Sequence, residues 1–182
     1  MGETAMTTFE QRVAAAKTIQ DALPEAVERV YEFRGDVTLV IDPAQVVEVC
    51  RFCRDTAGLQ FDMFFGVTGV GYYPDSPRFA LVYHLYSLRN NLSLELKAYL
   101  ADDEAPVIDS VTGVYPAANW FEREAFDLFG IHFNNHPDLR RILMPADWEG
   151  NPLRKDYPLG YETVQFSFNF DEVNKHKPYA KD

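Results

Sequence analysis

The chain has 182 residues, 28 acidic and 17 basic side chains for a formal net charge of -11, and a hydrophobic share of 47% of which aromatic residues supply 14 percentage points. That length and apolar share suffice for one domain with a substantial core, built without disulfides or metal. The negative excess repels phosphate backbones and anionic headgroups, which sets nucleic acid and direct lipid insertion aside.

Residues 9–23 predict a first helix, with Thr7-Thr8-Phe9-Glu10 at capping-box spacing and Pro24 as its stop. Val27 to Phe33 and Val37 to Ile41 read as two strands joined by a tight turn at Arg34-Gly35-Asp36. Asp42 then caps a helix with Pro43 in its first position, running to Ala57 and closed by Gly58. Cys50 and Cys53 lie on that helix. A redox or zinc role would need a helix N-terminus or two further ligands, whereas Val46, Val49, Cys50, Cys53 and Ala57 recur as one core-facing stripe. Strand-rich segments follow at 59–73, 78–88 and 92–100, with turns at Tyr73-Pro74-Asp75-Ser76-Pro77 and Arg89-Asn90-Asn91. Gly66 to Gly71 lacks the Gly-Lys-Ser/Thr ending of a phosphate loop and reads as a bulged strand. Ala101 to Glu104 is an acidic turn, and Ile108 to Tyr115 predicts a short helix or turn. The expected fold is α/β (α+β): a mixed, largely antiparallel sheet flanked by helices, followed by an extended C-terminal arm.

Charge, rings and turn residues are densest between residues 117 and 158. Ala118, Phe121, Ala125, Leu128 and Phe129 form the apolar stripe of a helix over 117–129, ended by Gly130. Trp120, Arg123 and Asp127 fall on the opposite face, where Arg123 and Asp127 are spaced to pair, and Glu122 and Glu124 sit at the margins of the stripe. Beyond Gly130, glycines and prolines interrupt every run, yet Ile131, Phe133, Leu139, Ile142 and Trp148 give too much apolar surface for disorder. Arg140, Arg141, Arg154 and Lys155 balance Asp138, Asp147, Glu149 and Asp156. The expectation is an ordered extended segment, pinned by anchors and ion pairs along a surface. The chain thus divides into 1–130 (α/β domain), 131–160 (extended segment) and 161–182, an arm in which Phe166, Phe168 and Phe170 alternate with polar residues and seek a partner.

Catalytic chemistry finds little purchase. His132 and His136 are four apart, but Gly130 and Pro137 deny them the helix that would aim both at a metal, so a free-standing metal hydrolase using them with nearby carboxylates is the rival reading. Nucleophile-elbow, flavin, nicotinamide and iron-sulfur motifs are missing. No run approaches the roughly 18 apolar residues of a membrane span. The start, MGETAMTTFEQR, lacks a basic region followed by an apolar core, so the chain is expected to stay in the cytoplasm.

Glu122-Arg123-Glu124, Asp127-Leu128-Phe129-Gly130, His136-Pro137-Asp138-Leu139-Arg140-Arg141-Ile142-Leu143 and Pro152-Leu153-Arg154-Lys155-Asp156-Tyr157-Pro158 together resemble the signature of the thirty-kilodalton subunit family of proton-pumping NADH:quinone oxidoreductase, respiratory complex I. The resemblance implies a subunit without a cofactor in the hydrophilic arm, docked on the quinone-binding subunit and neighbouring iron-sulfur subunits, peripheral on the cytoplasmic side of the membrane. FMN and iron-sulfur clusters would sit in those partners. Glu122, Arg123, Glu124, Asp127, His136, Arg140, Arg141, Arg154, Lys155, Asp156, Tyr157, Phe166 and Phe168 are then the candidate interface residues, with Arg140, Arg141, Arg154 and Lys155 set to meet partner carboxylates.

Overall fold

The computed structural model describes residues 8–157 together with Asp171 and Lys175. The expectations for Thr7, Phe166, Phe168 and the arm lie outside the described residues. Helix α1 (Thr8–Ala22) leads into a hairpin of β1 (Val27–Phe33) and β2 (Asp36–Ile41). Its two-residue turn takes positive φ at both Arg34 and Gly35, the conformation that matches the twist of paired antiparallel strands. Asp42 accepts the Ala44 amide at 2.9 Å and starts a 3-10 turn, Pro43–Gln45, that runs on into α2 (Val46–Asp55). Strands β3 (Met63–Gly71), β4 (Phe79–Ser87) and β5 (Leu92–Leu100) form a meander.

These strands make a sheet in the order β1-β2-β5-β4-β3, antiparallel except where β2 runs parallel to β5. The mixed, largely antiparallel sheet expected from sequence is therefore present. Alternation decides its faces. Phe79, Leu81, Tyr83 and Leu85 of β4 and Leu92, Leu94, Leu96 and Ala98 of β5 are buried, beneath Ala15, Ala16 and Ile19 of α1 and Val46, Val49, Cys50 and Cys53 of α2. The other face carries half-buried His84, Tyr86, Glu95, Lys97 and Tyr99. The ladder shifts register between Phe64 and Gly66, which is the bulge expected in the glycine-rich strand. Both cysteines pack in the core, where burial pushes the Cys53 thiol up to about 12 and raises Cys50 as well.

Two expectations change. Helix α2 stops at Asp55, because Thr56 turns extended and Gly58 takes a φ of +89°. Ala57 is exposed in consequence, and Leu59 and Phe61 take over the burial assigned to it. Of the short helix or turn expected over residues 108–115, the turn is present, closed by Tyr115 N–H on the Val111 carbonyl, but a strand precedes it: β6 (Val107–Asp109) pairs in parallel with β7 (His132–Asn134). Three-residue strands carry almost no periodicity of their own, so their pairing is decided by tertiary context.

Helix α3 (Ala118–Phe129) packs on the edge strand β3. Two glycines allow this approach. A Cβ at Gly69 would lie 2.6 Å from the Phe129 ring, and one at Gly66 would lie 3.2 Å from Phe121. Gly130 caps the helix at a φ of +75°, the left-handed geometry that glycine adopts without strain. Among the described residues no helix is long and apolar enough to cross a membrane.

Candidate functional site

Both faces of α3 are covered. Ala118 and Ala125 are buried on the core side, with Phe121 and Phe129 partly buried against it, and on the other side Glu122, Arg123 and Asp127 are buried too. Residues 136–151, together with the turn at Ser110 and Val111 over Glu122, account for this second cover. The pairing expected between Arg123 and Asp127 does not form; each side chain instead serves the segment laid across the helix.

Asp127 organises that segment. Its Oδ2 accepts the amides of Ile142, Leu143 and Met144 at 3.0, 2.7 and 2.8 Å, while Oδ1 takes Arg141 Nη1 at 2.7 Å. Burial alone would push this carboxyl up. The three amides and the guanidinium together outweigh that and hold it below the usual aspartate value. Three successive N–H groups converging on one oxygen form an anion nest whose occupant is built into the chain.

The arginines work on backbone carbonyls. Arg123 donates from Nε to the Arg140 carbonyl at 3.1 Å and from Nη2 to that of Arg141 at 3.2 Å, with its guanidinium 5.2 Å from the Trp120 ring centre. Arg141 Nη2 reaches the carbonyls of Trp148 and Gly150, both at 3.0 Å, so one side chain ties helix and loop together. Asn151 Nδ2 donates to the carbonyls of Phe126 and Asp127, and the Leu153 amide donates to that of Leu128. Phe126 also accepts the Gly130 amide at the cap, but the carbonyls of Asp127 and Leu128 are end groups that a helix leaves unsatisfied, and here a distant stretch of chain satisfies them.

A second fastening lies at the far end of the segment. Asp156 pairs with Arg78, whose side chain is only 7% exposed, and also lies 3.6 Å from Arg154. Both guanidiniums stand close to the centre of the Phe79 ring, at 4.8 and 5.0 Å. The sequence marks Arg78 only as a lone cation opening an otherwise apolar strand, and its place among the fastening residues emerges from the structure. Arg140 pairs with Asp138 at an exposed position, Lys155 is exposed, and Tyr157 donates its hydroxyl to the Glu149 carbonyl at 3.4 Å. Of the four cations expected to meet partner carboxylates, Arg141 is committed within the chain. Arg154, 16% exposed, leans on Asp156.

Glu122 is inaccessible and accepts the Ser110 hydroxyl at 2.6 Å and the Val111 amide at 2.8 Å. Burial raises its carboxyl to about 7 against the pull of those two hydrogen bonds. His136 Nε2 lies 3.8 Å away. Glu124 stays exposed on a groove of about 550 Å³ shared with Phe65, Leu128 and Leu153. His132 is exposed on β7 while His136 is buried against Glu122, so the two histidines do not converge, and the described residues contain no cluster of three potential metal ligands.

Residues 39–163 match the model of the family described as respiratory-chain NADH dehydrogenase, 30 Kd subunit. The chain belongs to that family. Its signature residues, from Glu122 to Pro158, all fall inside the matched span. A relative from Roseiflexus sp. (strain RS-1), named as a subunit of NADH-quinone oxidoreductase, is 49% identical over 164 residues, covering 90% of this chain and 94% of the relative. The like-named protein of Geobacter sulfurreducens is 48% identical over 142 residues, covering 78% and 86%. Among solved structures, a chain of the membrane-bound sulfane sulfur reductase, an archaeal respiratory membrane complex, superposes with a TM-score of 0.68. It shares 21% identity and covers 93% of this chain and 95% of that one, a likeness of fold.

Proposed function

We propose that this member of the 30 kDa family is a non-catalytic structural subunit of the hydrophilic arm of NADH:quinone oxidoreductase, complex I, held on the cytoplasmic side of the membrane. It docks on the quinone-binding subunit and its iron-sulfur neighbours. Electrons pass from NADH through FMN and clusters in those partners to quinone, coupled to proton translocation. One observation carries the reading: Asp127, Arg123 and Arg141 spend their hydrogen bonds on the chain's own backbone, fixing residues 140–151 as a rigid surface. Preorganised segments of this kind bind with little ordering cost. On this segment and the stretches next to it Trp120, Leu143 and Leu153 are each more than half exposed, and Arg140 and Lys155 are exposed cations. Aromatic and aliphatic anchors rimmed by charge are the composition of a protein interface.

The test is affinity copurification of the tagged chain from gently solubilised membranes, with mass identification of its companions and an NADH:quinone reductase assay. Recovery of flavin, cluster and membrane subunits with activity is expected, and weaker recovery when residues 166–182 are deleted. Recovery of the chain alone, under conditions that keep other membrane complexes intact, would overturn the assignment.

A further inference from the structure

The Glu122–His136 contact sits where three pieces of chain meet: the turn after β6, helix α3 and the turn after β7. Both side chains are inaccessible. Hydrogen bonds define the state of the imidazole. Its Nδ1 lies 3.0 Å from the Asp138 amide and accepts that N–H, so it carries no proton, and Nε2–H then donates to the Asn119 carbonyl at 3.2 Å. The imidazole in this arrangement is neutral.

The imidazole is the one basic side chain within 4 Å of the Glu122 carboxyl among the described residues, because Arg123, next to it, is turned towards the Arg140 and Arg141 carbonyls. On the core side Glu122 faces Cys50 of α2 and Tyr83 of β4, two weak acids that burial keeps neutral and whose ionisation its carboxylate further opposes. Arg123 of α3 and Asp138 of the segment itself act on His136. A path leads outward from the carboxyl: Ser110 Oγ, 2.6 Å from Glu122 Oε2, lies 2.8 Å from Thr112 Oγ1, and Thr112 is only half-buried.

The order in which protons arrive decides the outcome. A proton entering through the two hydroxyls neutralises Glu122 and leaves the turn intact, but it removes the one carboxylate near His136 Nε2. A further proton must go to Nδ1, since Nε2 already holds one. There it faces the Asp138 N–H, donor against donor, and the buried imidazolium has lost its counter-charge. Opening the turn to water is what relieves both, and Asp138 lies just ahead of Arg141 in the chain. We propose that Glu122 and His136 form a two-proton clamp on the signature segment, in which the first proton neutralises Glu122 through the Ser110–Thr112 pair and the second, on His136 Nδ1, releases the turn to Asp138. Burial supports both steps, raising Glu122 to about 7 and lowering His136 from its ordinary value.

The full chain, labelled with 15N, is titrated by NMR from about pH 8 to about pH 5, the range in which such groups change charge. The Val111 amide, bound to Glu122, should shift in a first step near pH 7. The Asp138 amide should shift in a second step below the ordinary histidine value, with faster hydrogen exchange at Ile142, Leu143 and Met144 in the same step. Glu122→Gln should remove the first step alone. His136→Asn, which keeps an acceptor near the place of Nδ1 and cannot titrate, should remove the second alone. A single step at the ordinary histidine value on both amides of the native chain would overturn the clamp. So would a second step that survives in His136→Asn.

Discussion

Asp127→Asn tests whether one carboxylate holds the signature segment. Asparagine keeps the shape but offers a single acceptor oxygen. If that oxygen takes the place of Oδ2 and the three amides, the new NH2 faces Arg141 Nη1, donor to donor; turned the other way, it faces the amides. Hydrogen bonds to a charged group contribute about 1.5–3 kcal/mol each and do not add when they share one oxygen. Arg141, whose side chain is 22% exposed, also loses its counter-ion. Removing one partner of a fully buried pair costs about 3–5 kcal/mol, and partial exposure discounts that figure. A cost of about 3 kcal/mol is expected, roughly a 150-fold rise in the open population. Hydrogen exchange read residue by residue is the assay, because the loss should fall on residues 140–151 and spare the amides of β4 and β5. Native protection at Ile142, Leu143 and Met144 in the variant would refute the reasoning. The carboxyl also predicts a pH dependence: its value is depressed in the folded chain, so its stabilisation is present above the ordinary aspartate range and is lost as pH falls through the folded value.

Three further outcomes are expected. Gly69→Ala should lower stability by about 1–3 kcal/mol in denaturant titration, since its Cβ would lie 2.6 Å from the Phe129 ring and force α3 off β3; an unchanged midpoint would show that the ring simply moves. Glu122→Gln should gain on the native chain as pH rises from about 4.5 to about 7, by on the order of 3 kcal/mol, because a group whose folded value is raised gives stability that is lost as pH rises through it. Parallel stability–pH curves for the two proteins would contradict that. Asp156→Ala leaves the Arg78 guanidinium buried without its carboxylate and should cost about 2 kcal/mol, seen as faster exchange at residues 154–157.

Periodicity reached the core because the strands obey it. Alternation in Leu92 to Leu100 and the stripe through Val46, Val49, Cys50 and Cys53 depend only on one face meeting other apolar groups, and both are buried as expected. The same rule misplaced Arg123 and Asp127. A charged residue opposite an apolar stripe is assigned to water by default, and only the later segment, with its carbonyls and amides, converts that face into an interior. Glu122 is the sharper case. Its burial depends on Ser110 and Val111, which belong to a turn whose position is fixed by β6 pairing with β7, and neither strand announces itself in three residues. Arg78 escaped for a related reason, since its carboxylate stands 78 residues away.

The manner in which α3 is finished has a consequence in time. A nascent chain lengthens at about 5–20 residues per second, and its early parts fold while later ones are still being made. Helix α3 has no basic residue in its own last turn. Its terminal carbonyls at Asp127 and Leu128 wait for Arg141, Asn151 and Leu153. Synthesis must therefore proceed 24 residues past Asp127 before Asn151 can close the end of the helix. Until then the helix on β3 is not fastened, and a ribosome stalled between residues 135 and 150 would hold a chain in which every one of the described strands has been made but α3 is not yet tied down.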